Sequence, residues 1–360
     1  MCARMDRALR KKEVIGISVW YIVLSIFVFG ILIFVHEFGH YLCARLCGVG
    51  VNEFAIGMGP KIFGWTSKKT EIKYTIRALP IGGYVSMVGE DEESDREDAF
   101  GKRSVWKRIL IVIAGPAMNL LLGFLAMLVL VTSSGVLYGT EVDYQGRENV
   151  QISDKAGLDQ GDIILKIGKV RVHTRNELVY EIRRQGTEAV DVTVRRNGEE
   201  LVVKDVEFPT VTEGGMEFGG WDFVGNREQF TFGNVMKHTF FRSASTVKMI
   251  VDSFVDLITG KYGMEAMSGP VGITQTMGEA AKSGFSSFLY VFVIITVNLG
   301  VFNLFPIPAL DGGRLLFLLV EVVIRRPLNK NVEGIIHFVG LALMLLLVVF
   351  VTFNDILRLF

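Results

Sequence analysis

His36-Glu37-Phe38-Gly39-His40 is the segment of this sequence in which residue types and spacing most directly imply chemistry. On a helix, histidines four residues apart share a face, about 6 Å apart along the axis, so both imidazoles can reach one metal ion. Glu37 then stands beside that ion as general base, and zinc is the expected metal. The chain holds only five histidines, so chance rarely produces this pattern. A histidine pair merely satisfied by neighbouring helices is the bland alternative. It is disfavoured because the motif closes an apolar segment, where burying three ionisable groups without function is costly.

A catalytic zinc takes three protein ligands and keeps one position open. The candidates for the third are His173, His238, His337, Glu321, Asp311, Cys43 and Cys47. His173 and His238 belong to a region expected on the far side of the membrane. His337, near the start of the last apolar stretch, is a competitor. Asp311 is better placed, because it follows the break Asn303-Leu304-Phe305-Pro306-Ile307-Pro308-Ala309-Leu310 and precedes Gly312-Gly313. Prolines and glycines open the helix there, and irregular backbone at membrane depth is tolerated only where protein buries it or water lines it. Cys43 and Cys47, one helical turn apart, read better as small buried or interfacial residues, and with Cys2 they give no disulfide framework. Asn303, and Asn119 within Gly115-Pro116-Ala117-Met118-Asn119, are candidate substrate-binding residues, with Asn298 weaker. A membrane asparagine can donate to a substrate backbone or an oxyanion, but it can equally pin helices together.

The elements that must position these groups are membrane helices. Of 360 residues, half are hydrophobic and 21% are charged, and mean hydropathy is +0.39. Residues 14–35, 109–140, 283–310 and 334–354 contain no Asp, Glu, Lys or Arg. A bilayer core takes about 20 apolar residues per helix, so four spans fit and a soluble enzyme is excluded. The first helix, carrying the zinc motif, is placed at 14–48, and the others at 109–140, 283–310 and 334–354. The basic N-terminus mimics a signal peptide, but its apolar run is too long and lacks a small-residue cleavage site, so it reads as a retained helix. The 38 basic and 38 acidic residues cancel, giving no reason to expect a nucleic-acid partner. The loop between the first two spans and the short loop between the last two share 15 basic residues. That places both loops, and the zinc motif, on the cytoplasmic side.

Between spans, residues 51–88 alternate in short glycine- and proline-punctuated runs, as membrane-associated β structure would. The acidic run at 89–98 reads as a solvated loop. Residues 142–209 read as a small α+β domain outside the membrane, with a helix near 177–184 and a hairpin turning at Asn197-Gly198. Residues 234–258 place apolar side chains at helical spacing and suggest an amphipathic helix. The expected fold is therefore a multi-pass α-helical membrane protein, about four transmembrane helices, with a membrane-associated β-hairpin region and an inserted α+β domain.

The His-Glu-Phe-Gly-His motif, Gly115-Pro116-Ala117-Met118-Asn119 and the Asn303–Gly312 segment occur in the order found in the site-2 protease family, and the chain resembles bacterial members of the regulator-of-sigma-E protease type over nearly its whole length. Ser268-Gly269-Pro270-Val271-Gly272-Ile273 also matches. The resemblance implies zinc bound by His36, His40 and Asp311, Glu37 as catalytic base, and Asn303 in contact with substrate. It likens residues 51–88 to a β-hairpin that receives the substrate as an added strand. Ala156-Gly157-Leu158-Asp159-Gln160-Gly161-Asp162-Ile163-Ile164 resembles a PDZ module, with Gln160 where proline is common. There is room for one such domain, where better-known members carry two.

The expected activity is a zinc-dependent intramembrane endopeptidase of the bacterial cell membrane. It would cut single-span membrane proteins, such as anti-sigma factors or signal-peptide remnants, after a prior cut. The PDZ-like domain would filter substrates by size or bind new peptide C-termini. One rival is a membrane-anchored zinc protease of soluble or misfolded proteins that uses a glutamate ligand. Another is a non-enzymatic scaffold with a structural metal, for which Glu37 would be dispensable.

Overall fold

The computed structural model describes residues 19–90, 92, 94–144, 157–213, 216–261 and 267–358. Residues 14–18 of the expected first helix and Ala156 of the PDZ-like motif lie outside them. The chain divides into two compact units, one formed by Met1–Ala126 with Ile250–Phe360 and the other by Met127–Met249.

The first unit is built on helices. Four are long and apolar enough to cross a bilayer: α1 (Val19–Leu46), α2 (Val105–Ser134), α6 (Phe285–Leu304) and α8 (Lys330–Arg358). Burial ranks them. In its most apolar stretch α2 is 44% buried and α8 only 11%, so α2 is the central member and α8 a peripheral one. The second apolar run was expected to stay helical to residue 140. It stops at Ser134, where Gly135 takes φ +63°, a left-handed conformation that ends a helix readily. The third was expected to reach 310 but stops at Leu304, because Pro306 and Pro308 cannot supply helical N–H groups.

Two further helices lie outside the four spans. Helix α5 (Pro270–Ser283) starts with proline in its first turn, and Gly272 N–H donates to Asp355 Oδ2 of α8 at 2.8 Å. That explains the Ser268–Ile273 segment structurally: a buried carboxylate caps a helix N-terminus. Helix α7 (Asp311–Ile324) replaces the expected short basic loop. Its polar members are paired, Arg314 with Glu90 and Arg108 with Glu321, so only the apolar remainder needs burial.

Strands β1 (Val51–Thr66) and β2 (Lys73–Met87) form more than the expected hairpin. Residues 53–56 of β1 pair with 83–86 and with 73–76 of β2, and 73–77 pair again with 61–66. The result is a four-run sheet whose outer runs are 61–66 and 83–87. Gly57 and Gly82, at φ +86° and +87°, allow the strands to fold back. Val51, Phe54, Val85 and Met87 pack with Ala44 of α1 and Ile111 of α2 into one core. Met58, Ile62, Phe63 and Trp65, by contrast, are exposed.

In the second unit the sheet order is β10-β3-β4-β6-β7, with β5 on β4. These strands are β3 (Leu137–Asp143), β4 (Ile163–Ile167), β5 (Val170–Arg171), β6 (Val190–Arg196), β7 (Glu199–Val206) and β10 (Val224–Glu228). The turn between β6 and β7 uses Asn197 and Gly198, both at positive φ, as an Asn-Gly hairpin requires. Helix α3 (Arg175–Gln185) begins where Thr174 N–H donates to Glu177, and it buries Leu178 and Ile182 on Ile164, Ile167, Val192 and Val194. The sheet needs residues beyond 142–209: β3 starts at Leu137, and β10 closes on it at Glu228. A separate pair, β8 (Thr210–Glu213) with β9 (Met216–Gly219), precedes β10, and helix α4 (Phe232–Ile258) follows it.

Candidate metal centre

His36 and His40 lie in the last turns of α1, both buried, and Asp311 opens α7. Gly39 lets α1 reach α2, since a Cβ there would come within 2.4 Å of the Ala114 carbonyl oxygen. Gly115 makes room for the second imidazole: a Cβ at that position would stand 2.2 Å from His40 Nε2. Pro116 has no N–H to give the carbonyl four residues earlier. In the same turn the Ile111 carbonyl accepts from His40 Nδ1 at 2.8 Å. A carbonyl only accepts, so the proton sits on Nδ1, and the Nε2 of a neutral imidazole carries the lone pair.

The three groups converge. His36 Nε2 is 3.2 Å from His40 Nε2, and Asp311 Oδ2 is 3.0 Å and 3.3 Å from them. Asp311 Oδ2 is buried and no hydrogen bond satisfies it. Electron-rich atoms gathered this closely out of water need a cation between them. With zinc bonds of about 2.0–2.1 Å, the edges of a tetrahedron are about 3.3 Å. The observed separations are those of one tetrahedral face, so the donor set fits zinc in size and kind. Among the described residues this is the one group of three His, Cys, Asp or Glu side chains so arranged.

Glu37 is half-buried on the next position of α1, and its side chain lies against Gly83 of β2, where a Cβ would meet its Cγ at 3.2 Å. The outer run 83–87 therefore passes directly beside it.

The other candidates are engaged elsewhere. Asn119 is fully buried, with Nδ2 3.2 Å from His36 Nδ1, a place from which it touches a histidine rather than solvent. Asn303 is half-buried, and its Nδ2 donates to the Leu299 carbonyl at 2.9 Å. Asn298 is exposed. His337 Nδ1 accepts from the Ala309 N–H at 2.9 Å, bracing the segment that leads to Asp311. Glu321 pairs with Arg108. Cys43 and Cys47 pack half-buried on the core shared with the sheet. In the second unit His173 stacks on Phe241. His238 is held below the ordinary histidine range by burial, despite Glu228 3.1 Å away. The bracing by His337 and the pairing of Glu321 were not foreseen. Their partners, Ala309 and Arg108, give no hint of them in sequence.

Residues 24–347 match peptidase family M50. The chain belongs to that family. Its site-2 protease resemblance is thereby established, and with it membership among metallopeptidases. Similar proteins include the zinc metalloprotease RasP of Oceanobacillus iheyensis, 32% identical over 94% of this chain and 99% of the relative. Another is the regulator of sigma-W protease RasP of Bacillus subtilis, 30% identical over the same shares. A third, the zinc metalloprotease RasP of Geobacillus kaustophilus, is 32% identical over 94% of this chain and 98% of its own.

Proposed function

We propose that this M50 peptidase is a zinc-dependent endopeptidase that cuts within or beside transmembrane segments of single-span membrane proteins, with His36, His40 and Asp311 as the zinc ligands. The convergence of three electron-rich atoms at tetrahedral-edge spacing beside Glu37, in helices of bilayer length, carries this reading. When bound, the ion supplies Lewis acidity, polarising a carbonyl and making water a stronger acid. Glu37 is the general base: it takes the proton from water and delivers it to the leaving amide nitrogen. His40 is held in one tautomer by Ile111. Asn119 holds His36: with its amide turned so that Oδ1 faces the ring, it accepts from Nδ1–H and leaves the Nε2 lone pair for the metal. We assign Asn119 to that task in place of substrate contact. Asn303 keeps Oδ1 available for a substrate backbone N–H.

A helical substrate hides its amides, so it must unwind before attack. The outer run 83–87 has no strand on its other side among the described residues and lies against Glu37, which makes it the edge for an unwound segment to join. The exposed Met58, Ile62, Phe63 and Trp65 suit immersion of the sheet in lipid. The enzyme would sit in a bacterial cell membrane with the zinc motif toward the cytoplasm. Anti-sigma factors or signal-peptide remnants left by a prior cut are suitable substrates. Residues 142–209 would lie outside as a PDZ-like domain that excludes bulky substrates or takes new C-termini. Its deletion has to span 137–228 so that no orphaned strand remains.

The test is mass mapping of fragments from a doubly tagged single-span substrate, comparing wild type with Glu37→Gln. A cut inside the apolar span that vanishes in the variant, with zinc retained, is expected. Equal cleavage by both would refute the assignment of the base. Preferential cleavage of soluble unfolded protein would favour a membrane-anchored protease of soluble targets.

A further inference from the structure

One helix touches both of the helices that bear the ligands, α1 and α7. On α2, the Ile111 carbonyl accepts from His40, and the Asn119 amide meets His36. Arg108 Nη1 donates to Glu321 Oε2 of α7 at 3.0 Å, with Nη2 on the other oxygen. Positions 108, 111, 115 and 119 follow the three-and-four spacing of a single helix face, with Gly115 clearing space for His40 between them. The two histidines share α1 and so fix each other's spacing. Asp311 does not: it reaches the site from a helix that follows the Pro306–Leu310 break, 271 residues after His40 in sequence. Glu321 lies ten residues beyond Asp311, about 15 Å along α7, so the pair grips the far end of the helix that Asp311 begins. Both side chains are largely buried, 13% and 16% exposed, and the two-pronged arginine–carboxylate geometry fixes direction as well as distance. Near its start the same helix is held by Arg314 on Glu90.

We propose that Arg108 and Glu321 are positioning residues for the metal: by locking α7 to the face of α2 that orients both histidines, they keep Asp311 in register with them. This rests on the zinc reading above. The pair touches neither the ion nor the substrate. It acts through the rigid axis of α7, so its loss rotates or slides Asp311 relative to a pair of imidazoles that stay in place. Metal sites tolerate about 0.2 Å of such error.

The experiment is zinc affinity, by chelator competition on the detergent-purified full chain. The visible spectrum of the cobalt-substituted protein reports coordination geometry, and apo-protein melting reports the fold. Asp311→Ala tests the underlying reading: retained wild-type affinity there would overturn the metal assignment itself. With Asp311→Ala losing zinc, Arg108→Ala and Glu321→Ala are each expected to weaken binding by about 10–100-fold, the range for groups that support metal ligands from outside. The exchanged pair, Arg108→Glu with Glu321→Arg, is expected to recover most of the loss and the wild-type cobalt spectrum. A pair serving only the fold would lower melting while leaving affinity unchanged, and that result overturns the proposal. So does an exchanged pair that melts like wild type yet binds zinc as weakly as the single variants. Should the single variants fail to fold, the neutral Arg108→Gln, Glu321→Gln double decides. Folded with weakened zinc it supports the assignment; folded with wild-type affinity it refutes it.

Discussion

Replacing Gly115 by alanine adds one methyl group, and the structure says where it lands. The new Cβ would stand 2.2 Å from His40 Nε2, 2.6 Å from Cε1 and 2.8 Å from Cδ2. Non-bonded atoms of this kind rest near 3.5 Å, so the ring must retreat by about 1 Å or more. It cannot do so and keep the 2.8 Å bond from Nδ1 to the Ile111 carbonyl. Zinc sites accept deviations of about 0.2 Å, and a 1 Å misplacement of a reacting group costs about 100-fold in rate, equivalent to about 2.7 kcal/mol. The expected outcome for Gly115→Ala is therefore at least a 100-fold loss of cleavage together with weakened zinc. The helix itself gains, since alanine is favoured over glycine in a helix interior by about 1 kcal/mol, so failure to fold is not the expected cause. Gly30→Ala on α1 is the matched control: nothing lies within 4 Å of its Cβ, and it should behave as wild type. Cleavage of a single-span substrate and chelator competition for zinc are measured on both. Wild-type turnover and affinity in Gly115→Ala would refute the placement of His40 against α2, and with it the geometry of the centre.

Other expectations follow from the same contacts. His337→Asn keeps an acceptor where Nδ1 meets the Ala309 N–H, so it should retain activity. His337→Leu strands that N–H and should lower turnover more than melting temperature. Asp355→Ala removes the carboxylate that caps α5 and should destabilise the full chain by about 0.5–2 kcal/mol, read by thermal melting, with zinc affinity unchanged. In the second unit, burial pushes the Glu228 carboxyl up, but hydrogen bonds from Lys237 and His238 outweigh it and hold the group below its ordinary range. Its contribution to stability is full above the unfolded carboxylate pKa and is lost as pH falls through the lower folded value. His238, depressed by burial, acts in the same direction: the folded state resists protonation as pH drops below about 6.5. Protection of β10 and α4 amides, measured relative to the intrinsic exchange rate at each pH, should fall on acidification from neutral, and His238→Phe should move the onset to lower pH. An onset that does not move would show that His238 does not contribute.

The candidate metal centre is the most legible part of the sequence, because His36 and His40 are local to one helix and Asp311 sits in a break that only function or burial excuses. The spans were legible for the same reason: an apolar run needs no partner to be recognised. What escaped notice depends on pairings across long stretches of chain. Helix α7 read as a loop because Gly312-Gly313 and three charged residues interrupt it, and nothing local shows that Arg314 and Glu321 find Glu90 and Arg108. The β region read as a hairpin because its alternation cannot reveal that residues 53–56 are bonded on both sides. The second sheet was cut short because β10 pairs with β3, some eighty residues earlier, and the intervening strands are short and glycine-flanked.

That double bonding of residues 53–56 bears on where a substrate would be cut. Residues 53–56 cannot shift without breaking a ladder on each side, and the 83–87 run is bonded to them, so this edge keeps a fixed phase beside Glu37. A strand joining it finds equivalent hydrogen bonds only every second residue, because a one-residue shift turns each side chain to the opposite face. Scissile bonds in a sliding substrate would then be spaced two residues apart, about 6.6 Å, like notches on a ruler. Secondary cuts should appear at even offsets from the main one and be missing at odd offsets.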